Sequence, residues 1–175
     1  NNKKFFKTQM NIIFLAAGKG SRFHNKTLVN KCLLKIKKKP IIKILIDEIK
    51  KTSIKNINIV TGYRANYLKK RLKEYKKINF IYNKMYNKRE MTHSLMVGLK
   101  KMKDDTIISY TDILYNSSTI KRIIKNKKKN IILPVLKNWK KIWDVRGKKP
   151  KIDGETMVVK KNILIEIGNK INKIS

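Results

Sequence analysis

A chain of 175 residues with 41% hydrophobic positions is long enough for one domain that buries roughly 70% of its unfolded surface, which sets intrinsic disorder aside. Its apolar runs all fall short of the ~18 residues of a membrane helix, and Cys32 alone offers no intramolecular disulfide. The net charge of +34, from 45 Lys+Arg against 11 Asp+Glu, would ordinarily suggest nucleic acid. Only six of those bases are arginine, however: Arg22, Arg64, Arg71, Arg89, Arg122 and Arg146. The lysines are spread over every segment, whereas surfaces that read bases or fork phosphates cluster arginine. Specific nucleic-acid recognition is therefore not the favoured function, although nonspecific polyanion binding at low salt is expected. No secretory leader pattern opens the chain, so a single cytoplasmic domain over 1–175 is expected. The first residue is Asn rather than Met, which suits an excerpt from a longer protein.

Residues 1–9 are polar and basic and read as a loose lead-in. Ile12 to Ala17 then forms an apolar run stopped by Gly18, the pattern of a buried strand ending in a tight turn. Gly18 and Gly20 lack a Cβ, so this loop can reach positive φ and turn backbone N–H groups toward an anion. Ser21 adds a hydroxyl, Arg22 a forked cation, and Lys31, in NKCLL, an ammonium that a turn can return to the same place. Neither GxGxxG nor GxxxxGK[ST] fits around Gly18, which excludes a dinucleotide fingerprint and a P-loop. On the glycines alone, a plain turn with solvated basic residues explains the stretch equally well.

Pro40 opens a helix in which Ile41, Ile42, Leu45 and Ile49 share a stripe. A strand is expected from about Asn56 to Thr61, stopped by Gly62, then a helix from Asn66 to Lys77 and a strand from Ile78 to Tyr82. Thr92 is placed as the cap of a helix with Leu95, Met96, Leu99 and Met102 on its apolar face. Thr106 to Tyr110 reads as a strand, Ser117 or Ser118 as the start of another helix, and Ile131 to Leu136 as an edge strand bearing Pro134. Short segments follow at Glu155 to Val159 and Ile163 to Ile167. This alternation predicts an α/β fold, a mostly parallel sheet with helices on both faces. Ligands of such sheets lie at the carboxyl ends of the strands, where Gly18, Thr61-Gly62 and Tyr110 to Asp112 all fall.

Acids are scarce, so their positions carry information. Asp112 directly follows a predicted strand and suits a hard cation such as Mg²⁺, although an Asp capping the turn after a strand is the commoner use. Asp144, Asp153 and Glu155 follow downstream. His93 and His24 are read as polar surface or loop residues rather than as general bases.

Several stretches carry a resemblance. LAAGKGSRF (Leu15 to Phe23) followed by NKCLL resembles the signature of nucleotidyltransferases with a GT-A-like fold, with Asn30 standing where that family has proline. SYTDILY (Ser109 to Tyr115) resembles a segment of cytidylyltransferases acting on phosphocholine or aminoalkylphosphonates. WKKIWDVRGKKPKIDGET (Trp139 to Thr156), IEIGNK (Ile165 to Lys170) and VTGYR (Val60 to Arg64) are similar to further segments of that group, in the same order. The resemblance implies a Rossmann-like, GT-A-type mixed sheet that is C-terminally short. It also implies nucleotide binding by Leu15, Ala16, Ala17, Gly18, Gly20, Ser21, Arg22, Lys31 and Ser94. Arg22 and Lys31 would be the catalytic cations and Asp112 the Mg²⁺ ligand. Trp139, Trp143, Asp153 and Glu155 would border the acceptor, although core packing and surface turns account for them nearly as well.

Two departures stand out. REMTHSL (Arg89 to Leu95) has Glu90 where that family has asparagine near the base, which leaves the choice of base open. A second metal-binding aspartate is expected beyond the EIG segment, and no acid follows Glu166. The implied reaction is Mg²⁺-dependent transfer from a nucleoside triphosphate, CTP favoured, to a small phosphorylated or phosphonate acceptor. The alternatives are a sugar 1-phosphate acceptor, an inactive nucleotide-binding remnant, and a basic nucleic-acid-binding module.

Overall fold

The computed structural model describes residues 10–20, 30–126, 131–146 and 155–170. They fall into two compact units, Asn1–Ile132 and Leu133–Ser175, each taken by itself below. The first unit runs β1 (Asn11–Ala16), a 3₁₀ turn (Lys31–Leu33), β2 (Lys35–Ile36), β3 (Lys39–Pro40), α1 (Ile41–Lys50) and β4 (Asn56–Thr61). It continues with α2 (Ala65–Arg71), β5 (Ile78–Tyr82), α3 (Met91–Leu99), β6 (Thr106–Tyr110) and α4 (Ser117–Lys125).

Four strands form one sheet in the order β5-β4-β1-β6, with every neighbouring pair parallel. Because side chains alternate along a strand, β1 feeds two cores. Ile12, Phe14 and Ala16 pack with Ile42, Leu45 and Ile49 of α1, Leu68 of α2 and Ile120 of α4. Ile13, Leu15 and Ala17 pack on the other face with Val60, Leu95 and Leu99. Helices thus cover both faces, as the alternating pattern required. Gly98 lets α3 lie close, since a Cβ there would stand 2.9 Å from Val60 Cγ2 and 3.2 Å from Ile13 Cδ1.

Local signals set several boundaries differently from the sequence reading. Thr92 lies inside α3, whose cap is the extended Glu90, with no side-chain cap bond. The turn before it, closed by the Lys88 and Arg89 N–H groups on the Met85 carbonyl, delivers the chain one residue before Met91. α4 does begin at Ser117, and Asn116 before it is the cap, its side chain accepting from the Thr119 N–H. α2 stops at Arg71, and Leu72 and Tyr75 continue in turns, Leu72 being buried all the same. Residues 131–136 form no strand; Pro134 brings no N–H to a ladder.

In the second unit, α5 (Trp139–Arg146) precedes β7 (Glu155–Lys160) and β8 (Ile163–Lys170), which pair antiparallel. Lys161 and Asn162 join the strands at φ 49 and 62, the two positive values of a type I′ hairpin turn. Among the described residues no helix is long and apolar enough to cross a membrane.

The strand order places the site. From β1 the chain moves outward through β4 to β5, then returns to β6 on the other side of β1. The direction of winding therefore reverses between β1 and β6, and a crevice opens at their carboxyl ends.

Candidate active site

A cleft of about 270 Å³ lies at that point, lined by Leu15 and Ala16 of β1, by Ala17, Gly18 and Gly20 of the loop that follows, and by Lys31 and Cys32 of the 3₁₀ turn. Tyr86, Arg89, Glu90, Met91 and Ser94 close one side, and Tyr110, Thr111 and Asp112 follow from β6. Every described residue assigned above to nucleotide or metal thus borders one cavity. Ser21, Arg22, His24 and Asp153 lie outside the described residues. Trp139 and Trp143 fall on α5 and Glu155 begins β7 in the second unit, where the side chains of Trp143 and Glu155 are likewise outside the description. Trp139 carries the Lys140 ammonium 5.9 Å from its ring centre.

The cleft is built by short polar ties. The Thr111 hydroxyl donates to the Leu15 carbonyl at 3.2 Å, fixing the exit of β6 against β1. Gly20 sits at φ +68, whereas Gly18 does not need its freedom there: a Cβ on Gly18 would meet nothing within 4 Å among the described residues. The Gly18, Lys19 and Gly20 N–H groups find no backbone carbonyl among the described residues, the condition for backbone donors to serve an anion. On the opposite wall, buried Asn83 donates to the Ser94 hydroxyl at 2.9 Å and accepts from the Met85 N–H at 2.9 Å, which fixes the start of α3.

Lys31 and Asp112 meet across the cleft, Nζ to Oδ2 at 2.7 Å, although 81 positions separate them. Both side chains are nearly half exposed, so the pair is accessible. Such a pair adds little to stability, about 0–1 kcal/mol, and its value here is the placing of a cation and an anion at one point. Cys32 beside it is inert: burial pushes its thiol up to about 12, far from the thiolate range in which cysteines react. Among the described residues no three His, Cys, Asp or Glu side chains cluster to hold a metal. Mg²⁺ does not require such a cluster, since it keeps waters and binds through one or two carboxylates together with substrate phosphates. Asp112 fits an ion that arrives with a polyphosphate.

Residues 12–144 match the family model of the MobA-like NTP transferase domain. The chain belongs to that family. As a member of the MobA-like NTP transferases it is 36% identical over 170 residues to a CTP:phosphoglutamine cytidylyltransferase of Campylobacter jejuni, covering 93% of this chain and 67% of the relative. It is 31% identical over 139 residues to a choline-phosphate cytidylyltransferase of Haemophilus influenzae, covering 73% and 58%. Among solved structures, the CTP:phosphocholine cytidylyltransferase of Streptococcus pneumoniae superposes with TM-score 0.54 at 26% identity, over 62% of this chain and 48% of that one. The inositol-1-phosphate CTP transferase of T. maritima shares the fold at TM-score 0.67 and 16% identity, over 95% and 66%. The chain therefore spans roughly half to two thirds of the length of these relatives.

Tyr86, Arg89 and Met91 are cleft residues without a role in the sequence reading. Arg89 and Met91 belong to REMTHSL, in which the sequence singles out Glu90, Thr92, His93 and Ser94 instead. Tyr86 had one available signal, the glycine at 62: a Cβ there would stand 2.3 Å from Tyr86 Cβ and 2.8 Å from the Ala17 oxygen. Only the folded chain reveals that contact.

Proposed function

We propose that the protein is a cytidylyltransferase-type nucleotidyltransferase, joining CTP to a small phosphorylated or phosphonate acceptor with release of pyrophosphate. The observation that carries this reading is the meeting of Lys31 and Asp112 at 2.7 Å in the cleft that Gly18 and Gly20 also line. An anionic acceptor oxygen attacks the α-phosphorus, the bond from that phosphorus to the β-bridging oxygen breaks, and pyrophosphate leaves. The attacking oxygen needs no deprotonation, so no general base is required, and His93 keeps no role. The N–H groups around Gly18 and Gly20 receive the phosphates, with Ser21 and Arg22 of the same loop assigned to the triphosphate and the leaving pyrophosphate. Lys31 offsets charge at the α-phosphate, and Asp112 holds Mg²⁺, which when bound neutralises phosphate oxygens. Positioning and charge stabilisation account for the rate.

Trp139, Trp143, Asp153 and Glu155 belong in this reading to the acceptor side, where aromatic faces and carboxylates suit an ammonium-bearing acceptor. The single-domain organisation over 1–175 and a cytoplasmic location are part of the same proposal. The direct test mixes the protein with Mg²⁺ and each nucleoside triphosphate. Phosphocholine, aminoethylphosphonate, a phosphorylated glutamine and sugar 1-phosphates serve as acceptors, and pyrophosphate is measured. Release with CTP and one acceptor supports the proposal; nucleotide binding without release under any combination leaves a nonproductive remnant instead.

A further inference from the structure

Asn30, the residue before Lys31, is 1% exposed. Its backbone lies at φ −59, ψ 134, so the φ that a proline would impose is already adopted. Its side chain adds a contact no proline ring can make: Nδ2 donates to the Tyr63 carbonyl at 2.6 Å, 33 positions away. The Tyr63 N–H donates in turn to the Ala17 carbonyl at 2.9 Å. A line of hydrogen bonds thereby joins the end of β1, the turn after β4 and the turn that carries Lys31. At its other end the Asn30 carbonyl accepts the Leu33 N–H at 2.8 Å, closing the 3₁₀ turn from which the Lys31 ammonium reaches Asp112. Beside Tyr63 the backbone is closely packed: a Cβ on Gly62 would stand 2.3 Å from Tyr86 Cβ and 2.8 Å from the Ala17 oxygen.

We infer that Asn30 is a positioning residue: its amide ties the Lys31 turn to the Tyr63 carbonyl and so fixes where the lysine ammonium enters the cleft. This rests on the nucleotidyltransferase reading and adds to it the group that aims its cation. A lysine stem is flexible and an ammonium has no preferred plane, so fixing the backbone beneath it is the available means of control. Misplacement of such a group by about 1 Å can cost on the order of a hundredfold in rate.

The experiment is a double-mutant cycle. Wild type, Asn30→Ala, Asn30→Asp, Lys31→Ala and Asn30→Ala/Lys31→Ala are compared for kcat and KM of pyrophosphate release, with thermal melts to certify folding. Asn30→Asp keeps the volume and sets an acceptor against the Tyr63 carbonyl, so it carries the test even where alanine fails to fold, paired then with Asn30→Asp/Lys31→Ala. The expected result is a loss of about tenfold or more in kcat/KM for either Asn30 variant, and less than about twofold further loss once Lys31 is alanine. Where turnover without Lys31 is too slow to follow, the same cycle is read on the dissociation constant of MgCTP. Asn30 variants within twofold of wild type, or an equal loss in both backgrounds, overturn the inference while the nucleotidyltransferase reading stands. A wild type that releases no pyrophosphate with any nucleotide and acceptor overturns that reading, and this inference with it.

Discussion

Lys37 and Lys38 form the tip of the β2–β3 hairpin at φ 46 and φ 70. Both lie in the left-handed region, where a side chain other than Gly or Asn costs roughly 1 kcal/mol or more, and type I′ turns prefer Asn-Gly for that reason. The double substitution Lys37→Asn, Lys38→Gly should therefore stabilise the protein by about 1 kcal/mol, seen as a higher urea midpoint with an unchanged slope; a lower midpoint would contradict the turn assignment. Asp112 behaves oppositely at the same scale. Half exposed and paired with Lys31, it matters little to stability, so Asp112→Asn should shift the melt by less than about 1 kcal/mol while abolishing metal-dependent turnover. Undiminished turnover would remove Asp112 from its proposed role. Asp112 was legible in the sequence through SYTDILY, since its place just past a recognisable strand alone fits a turn cap equally well. Asn30 was visible only as a departure from proline, since its partner is a backbone carbonyl that leaves no trace in residue types.

Elements here are joined by groups that belong to neither one's hydrophobic pattern. Glu48, near the end of α1, accepts the Ser117 N–H at the start of α4 at 2.6 Å and pairs with Lys51. A carboxylate at a helix N-terminus is favoured by the unpaired donors and the dipole there. The Lys51 hydrogen bond first, and the Ser117 N–H after it, lower the Glu48 carboxyl below its ordinary 4.5. A lowered folded-state value means stability that is fully present above about pH 4.5 and is lost as pH falls through the folded value. Glu48→Gln should thus be less stable than wild type near neutral pH, and the gap between their urea midpoints should close as pH is lowered past about 4.5. A gap that stays constant down the whole acid limb would show the tie to be irrelevant. The existence of β1, β4, β5 and β6 followed from periodicity, because apolar runs bounded by Gly or turn residues admit few other readings; the apolar run at 131–136, interrupted by Pro134, did not become a strand. Boundaries did not follow from periodicity: Thr92 is an eligible cap by type, and only the Met85 turn, a tertiary arrangement, decides that Glu90 holds that position.

At the scale of the whole molecule, the net charge of +34 and the cleft make different demands on salt. Polyanion binding by a diffuse lysine surface releases one counterion per neutralised phosphate, so its affinity falls steeply with ionic strength. A nucleotide held in the cleft meets few charges, Lys31 among them, together with backbone donors around Gly18 and Gly20 whose contribution screens far less. Raising salt from about 50 mM to about 300 mM should weaken a single-stranded oligonucleotide by roughly a hundredfold or more, and MgCTP by less than about tenfold. Asp112→Asn should leave the oligonucleotide curve where it is and remove the Mg²⁺ dependence of CTP binding, because one acid among so many cations changes the surface field little. Fluorescence anisotropy for the oligonucleotide and calorimetry for CTP measure the two slopes on the same protein. Equal slopes, or an oligonucleotide curve that moves with Asp112, would mean that the lysine surface and the cleft form one polyanion site, and would turn the functional reading toward nucleic acid.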